Sequence, residues 1–173
     1  MKIQMMKLML ALCSTLILSG CGLTHSVTLG TTSVAHAVFY RSVENLHLQF
    51  DPRAAFNQDD NKVTMPTTLR VYQLTERTAF DGADYQTLLT QPEETLKVSQ
   101  LAEKTVRIIP NEVVTLDMPM DKRAQFVAIV GLFRTPDRVS NTWRLVIPRD
   151  ALDPDEPRII EVNNSTLMLR PAK

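Results

Sequence analysis

Phe126-Val127-Ala128-Ile129-Val130-Gly131-Leu132-Phe133 is almost continuously apolar. A strand with one wet face alternates apolar and polar residues. An unbroken apolar run of this length reads instead as a central strand buried on both faces. The sequence on either side alternates. Downstream, after a polar turn at Arg134–Ser140, Trp143, Leu145 and Ile147 alternate with Thr142, Arg144 and Val146. Upstream, Val106 and Ile108 point one way, Pro110-Asn111-Glu112 turns the chain, and Val114, Leu116 and Met118 point inward on the return. Pro119–Arg123 is a further turn. Half-buried strands of this length, spaced by turn residues, build a sheet around the apolar run.

The same pattern extends to both ends of the domain. Leu46, Leu48 and Phe50 alternate with His47 and Gln49, and Asp51-Pro52 is expected to stop that strand, since proline cannot donate to a ladder. Pro52–Pro66 is then a polar connection, long for a compact domain, and such loops are usually functional or disordered. Phe56 and Met65 stand out in it as exposed-type apolar residues among Asn and Asp. Thr67–Leu74 resumes as a strand, with Leu69 and Val71 on one face and Arg70, Tyr72 and Leu74 on the other. Residues 78–104 read as a small helical insert. Phe80, Tyr85, Leu88 and Leu89 fall at helical spacing, with Asp81 and Asp84 as candidate caps. Pro92-Glu93-Glu94 suits a second helical start, followed by Leu96, Val98 and Leu101 as its apolar side. Arg158–Val162 and Thr166–Arg170 close the chain around Asn163-Asn164, a pair that tolerates positive φ. The expected fold is mainly β: a two-sheet β-sandwich of about eight strands with one helical insert. A lipocalin-type barrel fits less well, because strand lengths are uneven and few glycines mark bends.

Ahead of the domain lies an address. Lys2 and Lys7 precede the apolar run Leu8–Leu18, and Leu18-Ser19-Gly20-Cys21 follows as a lipobox. That layout is a secretory signal, and the run is too short for the roughly 20 apolar residues of a membrane span. Cleavage between Gly20 and Cys21 removes residues 1–20 and leaves Cys21 as the lipid-bearing first residue. Cysteine is required there because its thiol can be alkylated by a diacylglyceryl group. Palmitate-type acyl chains add about 0.8 kcal/mol per buried methylene, so two or more chains anchor stably. Residues 21–33 are small, polar and uncharged, a lipidated tether ahead of a domain at 34–173. Val34–Tyr40 is compatible with strand or helix.

The full chain carries 19 basic and 19 acidic residues. Loss of Lys2 and Lys7 leaves the mature chain near −2, which gives no electrostatic case for nucleic acid. Cys13 leaves with the signal and Cys21 is acylated, so no disulfide is expected. His25, His36 and His47 show no zinc-like spacing, and no nucleophile elbow, dinucleotide fingerprint or phosphate loop occurs. Asp59-Asp60-Asn61 resembles part of a calcium loop without its glycine and terminal glutamate. Asp150, Asp153, Asp155 and Glu156 read as solvated acids in a proline-rich loop. No cofactor or metal is expected, and no enzymatic activity. A periplasmic lipoprotein carrying a lipid or sugar stands as the alternative to an assembly role.

Arg70-Val71-Tyr72-Gln73-Leu74, Phe80, Asp84-Tyr85-Gln86-Thr87-Leu88-Leu89, Gly131-Leu132-Phe133-Arg134 and Trp143-Arg144 follow the lipobox in this order. The ordered set resembles the type VI secretion lipoprotein family called TssJ, VasD or SciN, over roughly Leu46 to Arg170. The resemblance implies a transthyretin-like sandwich and a non-enzymatic anchor for a trans-envelope protein-transport complex. Gly22, rather than Asp, after the cysteine favours the outer membrane, facing the periplasm. The implied partner is the periplasmic C-terminal region of the inner-membrane protein TssM, and through it TssL. In the family the loop between the first two strands contacts that partner, which maps here onto Pro52–Pro66. Many relatives carry a shorter Asn-Pro…Gly…Pro version of it, whereas this chain has Asp51-Pro52, no glycine and more residues. Interface cores favour aromatics and rims are polar. Phe56 is therefore the expected apolar anchor, with Arg53, Asn57, Asp59 and Asp60 as its rim.

Overall fold

The alternation at Leu46–Phe50 becomes strand β1, which a computed structural model places at Asn45–Phe56. The structure describes residues 42–171. Gly20, Cys21, the tether and Val34–Tyr40 lie outside the described residues. β1 does not stop at Pro52. Its partner β4 (Val114–Pro119) ends opposite Phe50, whereas β7 (Arg158–Asn164) continues alongside, pairing Pro52 with Val162. Pro52 thus sits where β1 has lost one neighbour, the edge-like position that a missing N–H allows. The β1–β7 register then shifts between Pro52 and Phe56, four residues of β1 spanning two of β7.

Eight strands form two four-stranded sheets. The first has the order β4-β1-β7-β8, with β8 at Thr166–Leu169; β1 is antiparallel to β4 and parallel to β7. The second has the order β3-β2-β5-β6, all antiparallel, built from β2 (Thr67–Leu74), β3 (Gln100–Ile108), β5 (Phe126–Gly131) and β6 (Arg144–Pro148). Leu46, Leu48 and Phe50 from one sheet and Leu69, Val71, Val127 and Ile129 from the other belong to one fully buried core. Gln73 is the polar member of this interior. Its Nε2 donates to the Pro119 carbonyl and its Oε1 accepts from the Asp121 N–H, both at 2.8 Å, so each end of the buried amide has a partner.

β5 lies inside its sheet, and Val127 to Gly131 are buried without alternation, as the apolar run requires. Register puts Arg70, Val130 and Arg144 in one row on the face turned away from the other sheet. Three short helices cover that face: α1 (Thr78–Gly82), α2 (Tyr85–Thr90) and α3 (Pro92–Leu96). Helices of five or six residues are not stable alone. Two things hold them. Phe80, Tyr85, Leu88 and Leu96 are buried. The row of arginines also takes their terminal carbonyls: Arg70 Nη1 donates to Leu88 and Leu89, and Arg144 donates to Phe80, Asp81 and Ala83. Cations at helix C-termini satisfy orphan carbonyls and complement the dipole. Tyr72 lies fully buried on the same face, and burial, reinforced by Glu103, pushes its hydroxyl up to about 12.

The insert differs from expectation in extent. It ends at Leu96, and residues 100–104 already belong to β3. Leu96 is buried, but Val98 is 93% exposed, because the chain leaves the helix there and turns into the sheet. Of the two candidate caps, Asp84 accepts from the Thr87 N–H at 2.7 Å, whereas Asp81 pairs with Arg77. Asn164 takes φ 49° in the β7–β8 turn, as its composition predicts.

Gly131 ends β5 because Phe133 folds back over it. A Cβ at Gly131 would lie 2.2 Å from the Phe133 ring. Gly131→Ala should therefore cost about 1–3 kcal/mol by overpacking, read from urea unfolding. Phe133→Leu in the same chain should return part of that loss; an additive double mutant would contradict the assignment.

Candidate functional site: the distal end of the sandwich

The chain enters the domain at one end, where Glu44 accepts from the Met120 N–H and Arg149 Nη2 donates to the Val43 carbonyl. This basal end also carries the β4–β5 and β6–β7 connections. The ends of β1, β5 and β7 and the start of β2 meet at the opposite, distal end, around Asn57. The distal end is built from residues 57–66, 109–113 and 132–143 and the β7–β8 turn.

Residues 57–66 form an ordered hairpin. Gln58 bridges Thr64. Inside that bridge the Lys62 N–H donates to Asp59 O and the Asp59 N–H to Val63 O, with Lys62 at φ 61°. This is a tight turn followed by a left-handed residue, a position glycine usually fills. The Asp59 carboxylate closes it, accepting from the N–H groups of Asn61 and Val63 at 2.9 Å. Asp59-Asp60-Asn61 is thus turn chemistry. No cluster of three or more His, Cys, Asp or Glu placed to hold a metal occurs among the described residues.

Two expected contact residues are corrected by the structure. Phe56 is 0% exposed and belongs to the core. It keeps the phase of Leu46, Leu48, Phe50 and Pro52 because the bulge adds an even number of residues, so it points inward. It cannot serve as a surface anchor. Asn57 is only 5% exposed, and its bonds are spent within the fold. Arg53 is on the strand rather than the loop, exposed, and bound to Glu161 at 2.8 Å. Glu161 also receives Arg170, which reaches Asp51 at 2.7 Å, giving a charged lattice on the uncovered face of the first sheet. Asp59 points into its own turn. Asp60 alone among the rim residues is freely presented, 3.7 Å from Arg134, a pair too exposed to contribute much stability.

The choice of Phe56 as anchor passed over the exposed apolar residues of this end, of which Met65 had been singled out in the loop and Val63 had not. Val63 is 53% and Met65 42% exposed on the hairpin. Ile109 and Val113 flank the β3–β4 turn, and Val139 stands on the β5–β6 loop, all exposed. Only Val98 and Met168, elsewhere, join them among the described exposed large hydrophobics. The signal in the sequence was Val63 and Met65 themselves, apolar residues inside a run of Asn, Asp and Lys. The β5–β6 loop is fixed from below: the Tyr85 hydroxyl donates to Phe133 O at 2.6 Å, its ring meets Trp143 edge-on at 5.1 Å, and Arg138 lies over it.

Surface clefts elsewhere are lined by charge. One is formed by Arg70 with Glu93 and Glu94, another by Arg77, Asp81 and Arg144. The acids at 150–156 organise their own loop, Asp153 accepting from the N–H groups of Asp155 and Glu156. No helix of the described residues is long and apolar enough to cross a membrane.

The fold and this end define a class: a rigid β-sandwich that presents loop-borne apolar residues at one extremity. Residues 44–168 match the family model described as type VI secretion lipoprotein, VasD, EvfM, TssJ. The chain belongs to that family. Among solved structures, a chain in one named for a type VI membrane complex is 41% identical, with TM-score 0.72, over 75% of this chain and 99% of its own. A chain in one named for the TssM C-terminal domain (869–1107) from EAEC is 38% identical, with TM-score 0.70, over 75% of this chain and 100% of its own. Lip from Serratia marcescens, a membrane-bound component of the type VI secretion system, shares the fold at 20% identity and TM-score 0.67, over 76% of this chain and all of its own. Comparison with curated proteins gives no match.

Arg53 and Arg170 hold the Glu161 carboxyl below its ordinary 4.5. Hydrogen bonds hold Asp84, Asp121 and Asp137 below 3.8. Depressed folded-state values mean that the unfolded chain binds more protons in acid. Stability is then fully present above about 4.5 and is lost as pH falls through the folded values. Glu161→Gln should flatten the upper part of that fall, measured as Tm against pH. An unchanged profile would contradict the role given to the lattice.

Proposed function

We propose that this chain is the lipid-anchored, non-enzymatic subunit of a type VI secretion membrane complex, and that its distal end docks the periplasmic C-terminal region of TssM, which joins it to TssL. The observation that carries this reading is the gathering of exposed apolar side chains at the end of the sandwich remote from where the chain enters. Exposed apolar side chains borne on several loops at one end of a domain suit a protein interface, whose core favours apolar residues. The relative at 38% identity adds support. Its matched chain is wholly covered by about 130 residues of this one, little more than half the length of the 869–1107 fragment for which that structure is named. A relative found in a structure named for that TssM region supports TssM as the partner.

Val63 and Met65 replace Phe56 as the apolar contacts, with Asp60 and Arg134 beside them as polar rim. Cys21 carries the acyl chains that anchor the protein at the outer membrane, through the tether at 21–33.

Two variants test the two halves. Val63→Glu with Met65→Glu should leave Tm within a few degrees, since both side chains are exposed, and weaken binding to a purified TssM periplasmic domain at least about tenfold. Cys21→Ser should yield a folded soluble protein that binds that domain normally but no longer supports secretion. Full binding by the double glutamate variant, or normal secretion with Cys21→Ser, would each remove its half of the reading.

A further inference from the structure

Asn57 follows the last residue of β1 and occupies the left-handed region at φ 45°, which asparagine tolerates better than most residues. It is buried among three connections and bonded to each. Its N–H donates to the Asn164 carbonyl in the β7–β8 turn at 2.8 Å. Its Nδ2 donates to the Met65 and Pro66 carbonyls on the return leg of the hairpin, at 3.3 and 3.1 Å. Its Oδ1 accepts from the Arg134 N–H at the start of the β5–β6 loop, at 2.8 Å. An amide is the side chain that can donate twice and accept at once from this position. Aspartate would lose both donors, and a hydroxyl could donate only once.

We infer that Asn57 is a positioning residue for docking: it touches no partner, but locks the hairpin bearing Val63 and Met65 to the β5–β6 loop bearing Val139, so that the distal end meets its partner as one preformed face. The inference rests on the docking role proposed above and adds what makes that face rigid. Ordering mobile loops on binding subtracts from affinity, and a face ordered beforehand avoids that loss. Other bonds reinforce the same frame. Thr64 Oγ1 donates to Ala54 O across the hairpin, and Thr67 Oγ1 and the Thr68 carbonyl pair with Leu132. Asn57 alone among these reaches all three connections. Arg134 closes the circuit, its N–H on Asn57 and its guanidinium beside Asp60 at the hairpin tip.

The test compares Asn57→Gly with Ile147→Val in otherwise unaltered soluble protein. Glycine keeps the left-handed backbone and the bond to Asn164 and removes only the side-chain clamps. Ile147 is buried on β6 near the basal end, so its truncation lowers stability without touching the clamp. Amide exchange at Arg134 and Val63 and affinity for a purified TssM periplasmic domain are read on both. Asn57→Gly should exchange at least about tenfold faster at Arg134 and bind at least about tenfold more weakly, with a more unfavourable binding entropy. Ile147→Val should bind like the natural chain. Binding by Asn57→Gly within about twofold of the natural chain, or an equal loss with Ile147→Val, would overturn the inference. If the natural chain itself fails to bind, the docking role and this inference both fall. The exchange at Arg134 would still show whether the clamp exists, so the two failures are distinguishable.

Discussion

β5 is apolar on both faces, and the rest of the domain follows from covering it. One cover is the first sheet, β4-β1-β7-β8, whose inward residues interleave with Val127 and Ile129. The other is a layer of three helices too short to stand alone. Arg70 and Arg144, flanking Val130 in one row, turn that weakness into a lock by taking the carbonyls at the helix ends. With both faces of the second sheet filled, the outer face of the first is left to water. It carries the Asp51, Arg53, Glu161 and Arg170 lattice instead of an apolar patch. The two ends of the sandwich remain. The basal end receives the chain, and the distal end collects exposed apolar residues.

Much of this was legible. Unbroken apolar sequence at Phe126–Gly131 announced a doubly covered strand, and period-two alternation gave the others. Asp84, Pro92 and Asn164 marked helix starts and a hairpin by local chemistry that needs no tertiary information. The misses share a cause. Pro52 looked like a terminator because its tolerance depends on β4 ending two residues earlier, a fact about a neighbour. Val98 looked like part of an apolar helix face because its spacing was right, but the helix stops before it.

The site was less legible than the fold. The β1–β2 connection drew attention by its length, yet the choice of Phe56 assumed that β1 had ended. The strand in fact continues past Pro52, and after the exposed Arg53-Ala54-Ala55 the chain returns to the inward phase at Phe56. Asn57 was read as rim because interface rims are polar. What makes it structural is the convergence of Met65, Pro66, Arg134 and Asn164, up to 107 residues away in sequence, on one amide.

The docking role proposed for the domain places the partner at the distal end, remote from Val43 and Glu44. The direct measurement is amide exchange along the whole domain, alone and saturated with the TssM periplasmic domain. Protection should appear at residues 57–66, 109–113 and 132–142 and be absent at 120–125 and 149–157. Protection confined to the basal connections, or spread over the charged face of the first sheet with the hairpin unchanged, would contradict it.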